Sequence, residues 1–149
     1  MMEERREGEK VLRCKLRLDF LGLAKPAKFF FGGKDSIEVA EEAREKQLMV
    51  WENIPMQGVE IENIEQKEPY TIFEEVYNEE AAYAPVEIVV SADSCESILP
   101  FILKPELRKI EVYDPESANF SKIGLERFFI KINEELHKQI DKLRKQMES

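Results

Sequence analysis

The feature that most constrains the fold is a strict alternation of apolar and charged residues over positions 11–20. The apolar positions are Leu12, Cys14, Leu16, Leu18 and Phe20, and the charged ones between them are Arg13, Lys15, Arg17 and Asp19. A period of two residues is that of a β-strand with one buried face and one wet face. Because parallel sheets are covered on both faces, the pattern predicts an antiparallel or mixed sheet.

Two longer segments carry the period of an amphipathic helix. Residues 36–51 form the first, for which Asp35 is the predicted N-cap and Glu38 its capping-box partner. Ser121 is predicted to cap the second, which runs to about residue 147. The first apolar stripe is Ile37, Ala40, Ala43 or Arg44, Leu48 and Trp51. The second is Leu125, Phe128 or Phe129, Ile132, Leu136, Ile140, Leu143 and Met147.

The remaining segments are shorter. Strands are predicted at 59–62, 86–91 and 109–113. Asp93, with Glu96 as its capping-box partner, is predicted to start a short helix over 94–103. Residues 65–85 are ambiguous: Tyr70 to Tyr77 suits either a hairpin strand or a short helix that starts at Pro69, and their strand-favouring composition favours the hairpin.

This order of elements predicts a single α+β domain over residues 1–149, with residues 1–9 disordered. It is the order of the ferredoxin-like, or split βαβ, plan with an added C-terminal helix. Strands 11–20 and 86–91 are expected to pair, and helices 36–51 and 94–103 to cover one face of the sheet. The plan is similar, at the level of fold alone, to small ligand-sensing modules that dimerise, and a fold transfers no function.

The composition indicates a cytoplasmic protein without a membrane span. Apolar residues make up 43% of the chain, but no run is long enough to cross a bilayer, and residues 1–10 do not read as a signal peptide. Two cysteines far apart suit a reducing compartment. The abundance of Glu, Lys and Arg is typical of thermophile proteins, although solubility alone also explains it.

The net charge of −9 is concentrated in the middle of the chain. Residues 35–90 hold 15 acidic side chains against three basic ones. An acidic segment repels phosphate backbones, so nucleic acid is not the expected partner. The basic positions of strand 11–20 offer no aromatic side chains on which bases could stack.

Candidate catalytic and metal-binding residues are few. Cys95 falls in the first turn of a predicted helix, where a helix dipole lowers a thiol pKa, but Asp93 and Glu96 would oppose this effect. Glu134 and His137 form one Glu-x-x-His pair, half of what a di-iron bundle needs. The sequence predicts no cofactor.

Glutamates cluster in the ambiguous segment. They are Glu74, Glu75, Glu79 and Glu80. Such carboxylates could hold a divalent cation, perform acid–base chemistry, dock a basic protein, or form a solvated face. A small enzyme that uses Cys95 or these glutamates is therefore one hypothesis, and an accessory subunit that docks a basic partner is another.

The C-terminal helix leads to the favoured hypothesis, a non-catalytic binding or regulatory module that self-associates. Its stripe does not fade along roughly 40 Å of helix, because Leu136, Ile140, Leu143 and Met147 continue it into the last third. One small sheet cannot cover all of it. The stripe is therefore predicted to form a homodimer interface.

Overall fold

A computed structural model describes residues 10–25 and 33–148 and has an α+β architecture. A five-stranded antiparallel sheet combines with three α-helices, one of them a long C-terminal helix. The prediction for residues 1–9 lies outside the described part of the chain. No described helix is long and apolar enough to cross a membrane.

The elements follow the predicted order, with an additional strand. They are β1 (Leu12–Leu23), α1 (Ser36–Asn53), β2 (Val59–Gln66), β3 (Tyr70–Glu74), β4 (Glu79–Ala92), a 3-10 turn (Glu96–Ile98) that runs into α2 (Leu99–Ile102), β5 (Leu107–Asp114) and α3 (Lys122–Glu148). The sheet order is β2-β4-β1-β5, and β3 also pairs with β4. The strand β5 is therefore an edge of the sheet.

The two central strands pair as expected. β1 and β4 are antiparallel from Leu12 opposite Ala92 to Leu23 opposite Ala81. β4 begins earlier than predicted, at Glu79, because β3 provides a hydrogen-bonding partner for its first residues. The composition of residues 79–85 alone does not indicate this pairing, because it depends on the neighbouring strand β3.

The ambiguous segment over residues 65–85 contains a β-hairpin, as the favoured strand interpretation predicted. β3 and β4 are joined by a turn over residues 75–78, in which Asn78 has a φ of 51°. Asn tolerates this left-handed conformation better than most residues. The turn allows β3 and β2 to pair with successive parts of β4.

The core lies on one face of the sheet, under α1 and the short helical segment. Alternate residues of β1 and β4 pack against Ala40, Leu48 and Trp51 of α1 and against Ile98 and Phe101. Asp35 caps α1 as predicted, since its Oδ1 accepts a hydrogen bond from the Glu38 N–H at 2.8 Å.

The predicted stripe of α1 needs one correction, and the structure decides the alternative that it left open. Ile37 is exposed, whereas Ser36 is buried. Arg44 rather than Ala43 is the buried member of its pair of candidates, and its Nη1 donates to the carbonyls of Lys67 and Pro85 at 2.8 Å each. The sequence leaves Ala43 and Arg44 as alternatives because the burial of Arg44 depends on these distant carbonyls.

The prediction of one regular helix over 94–103 is wrong. Only a 3-10 turn and four α-helical residues are present, and the turn has no side-chain cap. Ser94 Oγ, rather than Asp93, accepts from the Ser97 N–H, and Asp93 accepts from the Ser97 hydroxyl instead. Short serine side chains compete for the local backbone, which explains the different arrangement.

Candidate functional site

The C-terminal helix α3 meets the rest of the domain along a line of buried and half-buried residues that is partly polar, with Glu135 at its centre. It contacts the 3-10 turn and α2. Ser121 caps it as predicted, by accepting from the Gly124 N–H at 3.0 Å. Glu135 is the only described residue of α3 classed as buried, at 6% exposure. Its Oε1 lies 3.3 Å from Lys131 Nζ and 3.4 Å from Lys138 Nζ.

The apolar stripe of α3 lies beside this line and is largely exposed. Leu125, Phe129 and Leu136 each follow a buried or half-buried residue by one position, which turns them about 100° around the helix. Phe129 is 59% exposed and Met147 86%. Leu125, Leu136 and Leu143 are also exposed, whereas Ile132 and Ile140 are half-buried. Of the residues from which self-association was predicted, Leu136, Leu143 and Met147 are therefore exposed, whereas Ile140 is half-buried.

A second uncovered apolar surface lies on β5. Ile110 pairs with Leu16 and Val112 with Cys14, so both point to the face of the sheet that carries the core. Yet Ile110 is 45% exposed and Val112 50% exposed, because α2 is too short to cover this edge. This surface could not be predicted from the sequence, since two alternating apolar residues on a strand normally indicate a buried face.

The acidic cluster is located around the tip of the β3–β4 hairpin. Glu74 and Glu79 are cross-strand partners, and Glu75 begins the turn between them. Phe73 and Val76, apolar residues of the same hairpin, are exposed, Val76 at 86%. Glu80, opposite Phe73, is exposed as well. The tip therefore combines apolar side chains with negative charge.

The environment of Cys95 does not activate a thiol. It precedes a 3-10 turn rather than a full helix, so little helix dipole acts on it. Burial, followed by the charge of Glu96, raises the pKa of Cys95 above its ordinary value. Burial also raises the pKa of Cys14 to about 11. Both thiols are therefore protonated near neutral pH, the less nucleophilic form.

The two metal candidates on α3 are not brought together with other ligands. Glu134 and His137 are exposed, and Glu134 Oε2 lies 3.9 Å from Lys131 Nζ. Within residues 10–25 and 33–148, no three His, Cys, Asp or Glu side chains are grouped as a metal site would require.

The outer face of the sheet carries paired charges. Arg13 forms an ion pair with Glu62 at 2.8 Å, Lys15 with Glu87 at 2.9 Å, and Arg17 with Asp19 at 3.0 Å. The positive charge of β1 is therefore locally neutralised.

The outer face also carries aromatic side chains, contrary to the expectation drawn from β1 alone. Tyr70 stacks on Tyr83, and Arg13 lies over the Tyr113 ring. The Tyr70 hydroxyl donates to Asp19 at 2.6 Å, and the Tyr83 hydroxyl donates to Glu74. These rings come from other strands, which is why the pattern of β1 did not indicate them.

An open cleft of about 860 Å³ lies between α3 and the 3-10 turn. Charged and hydroxyl side chains line it, including Ser94, Ser97, Arg127 and Lys131. Asp93, Glu96, Glu134 and Glu135 also line it, so acids outnumber bases. Cys95 is not among the lining residues.

No family model, curated protein or solved structure matches this chain.

Proposed function

We propose that the protein is a non-catalytic binding or regulatory module that acts as a homodimer through α3. The observation that carries this proposal is the exposed apolar stripe of α3, from Leu125 to Met147. Burial of apolar surface stabilises an association by roughly 25 cal/mol per Å². In a monomer the stripe stays in water and this stabilisation is not gained. Large exposed apolar patches on proteins mark interaction sites.

The proposal includes a ferredoxin-like plan for the domain. The order β2-β4-β1-β5, with α1 after β1 and the short helical segment after β4, supports a split βαβ arrangement. The hairpin strand β3 then extends the edge formed by β2, and α3 is the added element.

Under this proposal the protein does not catalyse a reaction, and it does not bind nucleic acid or a membrane. The raised pKa of Cys95 and the solvent-exposed hairpin glutamates argue against the small-enzyme alternative. The ion pairs of β1 leave little free positive charge for a phosphate backbone. Two free cysteines suit a reducing compartment such as the cytoplasm.

An accessory subunit that docks a basic protein is the second candidate. Its specific support is the hairpin tip, where Phe73 and Val76 stand exposed among four glutamates. Apolar anchors inside a ring of one charge suit a partner with a basic, partly apolar surface. Capture of a basic protein from the native cell that weakens at high salt, and is lost with Glu75→Lys and Glu79→Lys, would favour this candidate.

The homodimer is tested by light scattering at micromolar concentration. Leu136→Glu and Leu143→Glu place charges on the stripe and are expected to give the monomer mass. His137→Glu introduces the same charge on an exposed position outside the stripe and is expected to leave the dimer intact. A chain that ends at Gln139 is expected to be monomeric. A dimer that survives all three stripe changes would place the interface elsewhere.

A further inference from the structure

The edge strand β5 presents an apolar face that its own chain does not cover. Its Leu107 packs against the core, but Ile110 and Val112 on the same side are about half exposed. Edge strands in stable proteins are normally covered or paired, because their open side invites association. The exposure of Ile110 and Val112 shows that no described helix covers this part of the sheet.

The chain's own α3 does not supply that helix. Contacts with the 3-10 turn and α2, and the buried Glu135 between Lys131 and Lys138, fix which side of α3 meets the body. The stripe lies beside that side: Ile132 and Ile140 are half-buried, and its other members, Leu125, Phe129, Leu136, Leu143 and Met147, are exposed. Rotation of the stripe towards the sheet would expose Glu135 and separate α3 from these contacts.

We infer that the α3 stripe of a second copy packs on Ile110 and Val112, and that the exchange is reciprocal. This inference rests on the proposed homodimer and specifies its interface. A two-fold axis would place each copy's α3 over the other copy's β5, so one contact is made twice. A helix of 27 residues is long enough to span the eight residues of β5.

The area favours this exchange over the pairing of α3 with α3. The exposed parts of the stripe and of Ile110 and Val112 come to on the order of 800 Å² per copy, which is the area per partner of a standard stable interface. Contact between the two α3 helices alone would cover the stripe but leave both β5 faces in water. The reciprocal exchange covers both surfaces.

Disulfide trapping between two differently tagged chains tests the inference. Both chains carry Cys95→Ser, and Cys14 stays because it is fully buried. One chain has Val112→Cys, and the other has Phe129→Cys or Leu136→Cys. The probe is mild oxidation of the mixture, followed by mass analysis without reductant, because a disulfide requires Cα atoms within about 7 Å. Val76→Cys is the control: because Val76 is exposed on the distant hairpin, its disulfides measure the background from random collision.

A disulfide between the tagged chains, several-fold above the Val76→Cys background and above either homodisulfide, is expected with at least one stripe position. A dominant Leu136→Cys homodisulfide would overturn the inference in favour of α3–α3 packing. A chain with both Val112→Cys and Leu136→Cys that closes on itself would overturn it too, as would a dimer that gives no disulfide above background. A monomer by light scattering would instead refute the proposed homodimer.

Discussion

Arg44 shows how a single charged residue joins the helical layer to the sheet. It is buried in α1, and its guanidinium donates to the carbonyls of Lys67 and Pro85. Lys67 directly follows β2, and Pro85 lies within β4. A charged donor that bonds two carbonyls out of water contributes more than an ordinary hydrogen bond. Arg44 therefore fixes the position of α1 along the sheet.

Replacement of Arg44 by methionine keeps its apolar length and removes both hydrogen bonds. The free energy of unfolding is expected to fall by about 2–4 kcal/mol, since the carbonyls lose a charged partner in a buried setting. Urea denaturation followed by circular dichroism measures the change. Lys46→Met on the exposed side of α1 is the matched control, expected within about 0.5 kcal/mol of wild type. Equal stabilities for the two variants would contradict this role.

The environment of Tyr70 predicts that the free energy of unfolding falls at alkaline pH. Burial, and then the hydrogen bond to Asp19, raises the pKa of Tyr70 to about 12, above the ordinary value of 10. The neutral phenol is therefore favoured in the folded state. Its contribution is fully present below pH 10 and is lost as the pH rises towards about 12. Tyr70→Phe is expected to flatten the decline of unfolding free energy over this window. An identical decline in both proteins would refute the assignment.

Cys95 is expected to react slowly with thiol reagents. Its pKa is raised by burial and then by Glu96, so the thiolate is scarce near neutral pH. The folded protein should label more slowly with an aromatic disulfide reagent than free cysteine does, and Glu96→Gln should increase the rate. Labelling of Cys95 faster than free cysteine would support the small-enzyme alternative.

At the scale of elements, β1 and α1 approach each other closely at Gly22. A Cβ built there would lie 2.2 Å from the Ala40 nitrogen and 2.3 Å from the Ser36 carbonyl oxygen. Both are backbone atoms of α1, so neither can rotate away. Glycine is therefore required where the helix crosses the end of β1.

Gly22→Ala is expected to reduce the free energy of unfolding by about 3 kcal/mol or more, because the helix must shift to admit one methyl group. Thermal or urea denaturation provides the measurement. Gly124→Ala is the contrasting variant, since its added Cβ would meet side-chain atoms and no backbone: the Ser121 hydroxyl at 3.0 Å and a Phe120 ring carbon at 4.0 Å. That variant should stay within about 1 kcal/mol of wild type. Wild-type stability of Gly22→Ala would contradict the close packing described.

Elements with a regular period could be predicted from the sequence, and those fixed by distant partners could not. The alternation from Leu12 to Phe20 predicts β1, and Asp35 and Ser121 correctly predict the caps of α1 and α3. The composition of residues 70–77 favours a hairpin, but the start of its second strand at Glu79 is set by the pairing with β3 and was not predicted. Likewise, the period of α3 identifies the stripe but not that Glu135 would occupy the contact with the body.

At the scale of the whole molecule, the α3 stripe and the β5 face are uncovered apolar surfaces, while the core beneath α1 is closed. The α3 stripe could be anticipated as an interface from its length, whereas the β5 face could not, because its exposure follows from the shortness of α2. A reciprocal contact between copies accounts for both surfaces. The hairpin tip, with Phe73, Val76 and its glutamates, remains free for a further partner in this account.

Sedimentation equilibrium of the full chain tests the central claim, self-association, most directly. At micromolar concentrations the account predicts a mass of twice the 17.5 kDa of one chain, and a shift towards the single-chain mass only on strong dilution. Leu136→Glu should shift that dissociation to higher concentration. A mass of 17.5 kDa for the unmodified protein throughout the micromolar range would contradict the account.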